Sequence, residues 1–547
     1  MYRAWPGVRR PVHHCDKNTL PYTEASMALA HTQDSSLIEQ LTNLLGSEQV
    51  KTDEATCVLY AQDVYTKAAP AMAVIRPDDV DSLAAAVAAV TAAGHAIIPR
   101  GGGMSYTSGY VPQESGSVVV DMQGMDRVLE INQEDMYVTV ECGCTWKALH
   151  EALQGTGLRT TYWGTLSGIH ATVGGGLSQN SIFWGSARYG TAADSVIGLT
   201  VVLADGTVVR TGAGAQVNGT PFFRHYGPDL TGLFTADAGA LAFKATATLR
   251  LVPVREHREA LSFDFDDHAS LIAAMSEIAR ADIADELFGF DPYLQAVRMQ
   301  RESIMSDVKK LAGVLKSGKG LVGSLKDGAR VALAGRGFMD EVKFSMHVMI
   351  EEKTAAQAGA CAQQARDICI RNGAREIENS IPKIIRANPF TPLNNMVGPN
   401  GERWVPIHTL LPHSKAHSVT EKTYAVFEEH REEMERFGIG TGFLFAAVST
   451  NCFVLEPVFF TPDALNEIHR EYVEDGVLAK ISGFDASPEA AAVTAKLRQA
   501  LIDLYEREGG IHMQIGKSYP YRSGLDSDAY AIVEQVKKLL DPEGRVN

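Results

Sequence analysis

Two glycine-rich stretches, about 65 residues apart, constrain this chain more than anything else in it. The first, Pro99-Arg100-Gly101-Gly102-Gly103-Met104-Ser105-Tyr106, directly follows the apolar run Ala96-Ile97-Ile98. Consecutive glycines permit unusual backbone angles, so successive amide N–H groups can converge on an anion without side-chain obstruction. Such a nest suits a pyrophosphate, although a tight structural turn has the same spelling. The spacing is not the G-x-G-x-x-G of a dinucleotide-binding βαβ unit. The second stretch, GTLSGIHATVGGGLSQN, runs from Gly164 to Asn180. A run of small residues that long lacks the side-chain volume to pack a core. It lets a flat, bulky ligand approach the backbone, with Ser167, Thr172, Ser178 and Asn180 as polar contacts. Arg188-Tyr189-Gly190 and Asp194-Ser195-Val196-Ile197-Gly198-Leu199 follow it.

The surrounding pattern is a mixture of helices and strands, an α+β class. AVIRPDDVDSLAAAVAAVTAAGHAIIPRGGG reads as strand, capped helix, strand and glycine turn, with Asp78, Asp79 and Asp81 at the helix entry and Gly94 at its end. VIGLTVVLADGTVVRTG contains an Asp205-Gly206 hairpin between β-branched runs. A second region begins near residue 258, where LSFDF, FSMHVMIE and FVLEPVFF alternate with helical segments. Helices dominate from about 488 to 541, ending at Asp541-Pro542. The expected organisation is an N-terminal extension and lead-in over 1–65, a ligand domain over 66–253, a cap over 258–487 and a returning segment over 488–547.

A chain of 547 residues is long enough for two or three cores. A net charge of −16 argues against a nucleic-acid partner, which would need a basic face. No apolar run reaches the ~18 residues of a membrane span and no secretory h-region opens the chain, so a cytoplasmic location is expected. Seven scattered cysteines fit a reducing compartment. Cys142 and Cys144 form a C-x-C pair on a strand; without a second ligand pair at zinc-like spacing they read as small hydrophobes, and no metal site is expected. Between Val297 and Met339, nine basic and three acidic residues give a local charge of +6. That amphipathic run fits an anionic membrane surface or an acidic partner, and equally a solvated helical face.

The run 66–253 resembles the FAD-binding domain of the vanillyl-alcohol oxidase / p-cresol methylhydroxylase superfamily, which D-lactate and glycolate dehydrogenases share. The resemblance lies in PRGGGMSYTSG, SGSVVVDMQGMDRVLEI, TVGGGLSQN, RYGTAADSVIGLTVVLADGTVVRTG and DLTGLFTADAGALAFKATATLRLVP. It implies a two-lobed fold with the FAD pyrophosphate on Gly101–Ser105 and the isoalloxazine near Gly168–Gly176. The implied cofactor contacts are Arg100, Gly101, Gly102, Gly103, Met104, Ser105, Tyr106, Ser167, Gly168, Thr172, Gly174, Gly175, Ser178, Asn180, Tyr189, Gly190, Ile197, Gly239 and Leu241. Many relatives attach FAD through a histidine in the glycine nest; Met104 stands there, so non-covalent FAD is expected, with Cys452 and His170 as the remaining attachment candidates.

The same resemblance implies hydride transfer from a small substrate to flavin N5. GKSYPYRSGLDSDAY is similar to a family segment whose Tyr-Arg pair holds a phenolate, which makes Tyr521 and Arg522 the expected anchors and Tyr106 a third contact. With Trp404 nearby, the expected substrate is an aromatic or phenol-like alcohol. A D-2-hydroxy acid, its carboxylate on Arg522 or Lys517, is the alternative, and a flavin-binding module without turnover is a third. His170 and His408 are the candidate bases, because imidazole titrates near neutrality. His512 lies in a segment similar to one in the hydroxyacid members, but their clustered-histidine metal motif is missing. The motifs do not encode the re-oxidant, which could be oxygen, a quinone or a cytochrome. A homodimer is a common state among similar enzymes.

Overall fold

The computed structural model describes residues 24–300 and 342–547. The first 23 residues and nearly all of the basic 297–339 run, of which a membrane or partner role is expected, lie outside the described residues.

Three sheets build the described residues. The first has the order β1 (Val50–Lys51), β2 (Ala73–Ile75), β4 (Val118–Asp121), β3 (Ile97–Arg100), with β2, β3 and β4 parallel. Helix α1 (Val80–Ala92) makes the crossover from β2 to β3. The Asp79 carboxylate accepts from the Ser82 N–H at 2.7 Å and so caps it, and Gly94 takes φ 83° just past its end. Leu83, Ala86, Val87 and Val90 recur at helical spacing and are buried against the sheet.

The second sheet is antiparallel: β5 (Val128–Asn132), β6 (Tyr137–Glu141), β10 (Phe243–Pro253), β8 (Val196–Val202) and β9 (Val208–Arg210), with β7 (Leu158–Thr160) also on β10. Gly206, at φ 84°, closes the β8–β9 hairpin. Cys142 and Cys144 stand in the turn after β6 rather than on a strand, yet both thiols enter the core of this lobe. Burial pushes each up to about 12, which keeps them protonated. The glycine helix α2 (Val173–Ser178) presses onto that turn. A Cβ on Gly174 would lie 2.7 Å from Cys142 Cβ, and one on Gly176 would lie 2.8 Å from Trp146 Nε1. The small residues therefore do pack a core, contrary to the sequence expectation, because their missing side chains let backbone reach backbone.

The third sheet spans β11 (His257–Phe265) to β18 (Cys452–Thr461). Its order is β14 (Arg375–Ile377), β11, β13 (Phe344–Glu352), β12 (Glu286–Phe290), β17 (Gly440–Val448), β18, β15 (Arg403–Pro406), with β16 (Thr409–Leu411) on β18. Side chains alternate across it. Phe443, Phe445, Phe453, Leu455 and Phe459 face a helical layer that includes α3 (His268–Arg280), α4 (Ala355–Arg371) and α5 (His413–Glu429). Each buried phenylalanine there contributes roughly 1.5–3 kcal/mol. Phe288, Phe290, Ala446, Val454, Val458 and Phe460 point to the opposite side. Helices cover 488–508 and 527–540, but 509–526 is largely a non-helical return loop, a departure from the helical reading of this region. The chain then ends beside β3, where Ile97 N–H donates to the Arg545 carbonyl at 2.8 Å.

Buried charge fastens the cap sheet to the second lobe. Arg159 on β7 lies 3.5 Å from Asp285 and 3.4 Å from Glu351, and Arg188 lies 2.8 Å from Glu352. Removing one partner of such a set is expected to cost about 3–5 kcal/mol, because a charge is left stranded.

Candidate functional site

One continuous cavity runs from the β3 glycine turn to the inner face of the cap sheet, with an empty volume of about 2270 Å³, open solvent at its mouth included. At one end Gly101, Gly102, Gly103 and Ser105 face Thr172, Gly174, Gly175 and Ser178. The glycines let these two stretches meet. A Cβ on Gly102 would fall within 2.6 Å of the His170 carbonyl carbon, and Gly103 takes φ 72° directly over the Arg100 guanidinium. That guanidinium is 1% exposed, stacks 4.2 Å from the Tyr60 ring, and has no hydrogen-bond partner on any of its three nitrogens. A cation buried unpaired behind a glycine turn is the arrangement an anion on the turn would complete.

The turn 236–241 closes this end. Ala236, Ala238 and Gly239 take φ of 54°, 52° and 76°, a left-handed run that is strained for the two alanines. Asp237 holds it: its carboxylate accepts from Gly239 N–H at 3.0 Å, Leu241 N–H at 3.4 Å and Lys244 Nζ at 2.7 Å. Lys244 is buried and borders the cavity, bringing a second cation to the same end.

The far end is aromatic with a few polar groups. Tyr106, Trp404, Phe288, Phe290 and Phe460 line it, together with Arg298, Glu456 and Gln514. Glu456 belongs to the inward set of β18, between Val454 and Val458. Burial pushes its carboxyl up to about 7, with the Arg298 charge holding it down. Burial likewise lowers Arg298 to about 10, against the pull of Glu456. Glu286 also reaches the cavity; its Oε1 accepts from Gly185 N–H at 3.0 Å, while Oε2 has no partner among the described residues. Burial beside Asp285 and Glu351 pushes its carboxyl up as well.

Comparison with known proteins supports FAD as the cofactor. A family model described as an FAD binding domain matches residues 71–212. This chain carries an FAD binding domain. The glycine turn, the glycine helix and the turn at Gly239 all frame the end of the cavity that this match covers or adjoins. Over 248 residues the chain is 31% identical to the glycolate oxidase subunit GlcD of Bacillus subtilis, 45% of this chain and 51% of that one. Over 249 residues it is 30% identical to a probable mitochondrial D-lactate dehydrogenase of Danio rerio, 45% of this chain and 48% of that one. The chain thus spans about half the length of the curated relatives it matches. Its fold is similar to that of p-cresol methylhydroxylase solved with substrate bound, at TM-score 0.70 and 17% identity, over 94% of this chain and 96% of that one.

Of the residues expected to contact FAD, Gly101, Gly102, Gly103, Met104, Ser105, Tyr106, Ser167, Thr172, Gly174, Gly175, Ser178 and Gly239 line the cavity. Arg100 lies behind the turn. Gly168, Asn180, Tyr189, Gly190, Ile197 and Leu241 stand outside the lining set. Tyr189 instead lies under the Arg159 guanidinium at 5.5 Å, Asn180 accepts from Ala193 N–H at 3.3 Å, and Leu241 serves through its N–H on Asp237.

The expected anchors are placed elsewhere, and this corrects the sequence reading. Tyr521 is 37% exposed and Arg522 lies over the Tyr530 ring at 5.3 Å, both in a separate surface recess. The cause is the return loop. Gly516, at φ 49°, packs on Thr107, and Lys517 and Ser518 donate their N–H groups to the Thr107 carbonyl, so the chain leaves the cavity wall after Met513 and Gln514.

The two candidate bases also leave the cavity. His170 packs its ring on Tyr472, centroids 4.9 Å apart. His408 is fully buried behind Tyr106, near Tyr519 and His512, and burial lowers its pKa well below that of ordinary histidine. Lys517 Nζ is committed to the Val111 carbonyl and Asn547. Cys452 does not line the cavity either.

Sequence reasoning does not single out Arg298, Glu456, Asp237 or Lys244. A signal existed for Glu456, the lone charge in the apolar strand FVLEPVFF. Among the described residues one metal-capable group gathers, His268 with His417 and Glu421; none of the three lines the cavity. No described helix is long and apolar enough to cross a membrane.

Proposed function

We propose that this protein is an FAD-dependent oxidoreductase that removes hydride from a CH–OH group of a small substrate with a flat, apolar body. The observation that carries the reading is the continuity of one cavity from the glycine turn to the aromatic, acid-bearing face of the cap sheet. Gly101–Ser105, Thr172, Gly174, Gly175, Ser178 and Gly239 would hold FAD, with Arg100 and Lys244 supplying positive charge for its phosphates. Bound there, FAD supplies a two-electron acceptor for the substrate hydride. Attachment is non-covalent in this reading, because Met104 faces the cavity while neither His170 nor Cys452 lines it.

The chain's own groups do the rest. Trp404, Phe288, Phe290 and Phe460 exclude water and clamp the apolar body. Glu456 accepts the hydroxyl proton: a carboxylate whose pKa burial has raised to about 7 is matched to proton transfer near neutrality. Tyr106, on the same cavity wall and with its pKa pushed well up by burial, stays a neutral donor toward the substrate oxygen.

A phenolic substrate has aromatic walls in its favour, but Tyr521 and Arg522 are not there to hold its oxygen. The relatives named as glycolate oxidase and D-lactate dehydrogenase favour a 2-hydroxy acid. Anaerobic mixing of the FAD-loaded protein with aromatic alcohols and with 2-hydroxy acids tests the reading. Loss of flavin absorbance with at least one class is expected, and protein that stays yellow with every member of both classes contradicts it.

A further inference from the structure

We propose that Arg298 forms a carboxylate-binding subsite in the cavity that Glu456 also lines, so that the substrate is a 2-hydroxy acid carrying a bulky apolar side chain. The proposal rests on the oxidoreductase reading above and names the substrate class for the same cavity.

Arg298 differs from the ion-paired arginines of the cap and its border. Arg159, Arg188, Arg386 and Arg403 each meet a carboxylate, at 3.4, 2.8, 2.8 and 3.1 Å respectively. Arg298 makes no ion pair among the described residues. Its Nε is buried without a hydrogen-bond partner, and its contact is the Phe290 ring at 4.6 Å. It lines the cavity beside Leu294, Val297 and Phe460, none of which can accept a hydrogen bond from a side chain. A guanidinium left that way in an apolar wall is destabilising unless an anion completes it. The same argument applies to Arg100 behind the glycine turn. Arg100 through all three nitrogens and Arg298 through its Nε lack partners among the described residues, and they stand at the two ends of one cavity, one suited to the cofactor phosphates and the other to a second anion.

The planar fork of arginine matches the two oxygens of a carboxylate, which accepts two parallel N–H bonds. A phenolate offers one oxygen, and a neutral alcohol leaves the charge unpaired. Glu456 lines the same cavity, and no hydrogen bond or ion pair joins it to Arg298 among the described residues. A cation and a proton acceptor on one cavity wall fit a molecule whose carboxylate and hydroxyl sit on adjacent carbons. Glu456 would take the hydroxyl proton, and a bound flavin would supply the two-electron acceptor for the C–H hydride, so that the product is a 2-oxo acid. Phe288, Phe290, Trp404 and Phe460 line the same end of the cavity and suit an apolar side chain.

The test compares two redox-inert probes, 3-phenylpropionate and its amide, on the FAD-loaded protein, with dissociation constants read from the visible-spectrum shift and from thermal stabilisation. The carboxylate is expected to bind about 10–100-fold more tightly than the amide. Arg298→Met should remove that preference, and Arg298→Lys should keep part of it. Equal affinity of the native protein for the two probes overturns the proposal without any variant, as does a preference that survives Arg298→Met. A preserved preference in native protein whose flavin no hydroxy acid reduces would leave the subsite standing and remove the oxidoreductase reading instead. Reduction by aromatic alcohols but not by 3-phenyllactate would do the reverse.

Discussion

Asp237 and Lys244 form a buried pair, 8% and 4% exposed, at the glycine-turn end of the cavity. Replacing Asp237 by alanine strands the Lys244 ammonium and frees two N–H groups, those of Gly239 and Leu241, in a turn already strained at Ala236 and Ala238. Breaking a buried pair from one side costs about 3–5 kcal/mol. For a cooperative unit of 150–250 residues each kcal/mol moves Tm by ~2–4 °C, so a fall of roughly 6–20 °C is expected in cofactor-free protein. The double variant Asp237→Ala/Lys244→Met removes the stranded charge as well and should recover more than half of the loss. Differential scanning calorimetry on the four proteins of the cycle measures both quantities. A fall below about 2 °C for the single variant, or a double variant no more stable than the single one, refutes the reasoning.

Gly102→Ala should weaken FAD binding by about 5–150-fold, the equivalent of ~1–3 kcal/mol of overpacking, because the new methyl meets the His170 carbonyl; flavin fluorescence titration measures it. Turnover should rise with pH through about 7 as Glu456 ionises, and Glu456→Gln should abolish that limb. The same raised pKa makes the native state hold a proton that the unfolded chain releases above 4.5. Its stabilising contribution is therefore full below 4.5 and lost as pH rises to about 7, a slope that chemical denaturation should show and Glu456→Gln should reduce. Arg522→Met, on the surface, should leave flavin reduction within about twofold, and a larger loss would return that residue to the site.

Local chemistry was legible in the sequence wherever a residue type has one physical use. Asp79 caps α1, Gly94 ends it, Asp205-Gly206 turns the β8–β9 hairpin, and Gly101–Gly103 make the turn after β3. What was not legible depends on which way a segment faces in three dimensions. The Tyr521-Arg522 pair has the right chemistry for an oxyanion anchor, but the contacts of Gly516 and Lys517 with Thr107 set the direction of the return loop, and no local pattern records them. His408 sits between β15 and β16, and alternation alone does not say which side of the sheet it takes; packing places it behind Tyr106. Arg298 looked like the first charge of a solvated basic run, and only the folded cap shows it entering the cavity.

The central claim is that two separated glycine stretches frame one dinucleotide. Equilibrium dialysis of the cofactor-free protein with FAD tests it most directly. One FAD bound per chain, released by acid precipitation with no flavin left on the pellet, is the predicted result; a colourless protein that takes up no FAD at any concentration contradicts it.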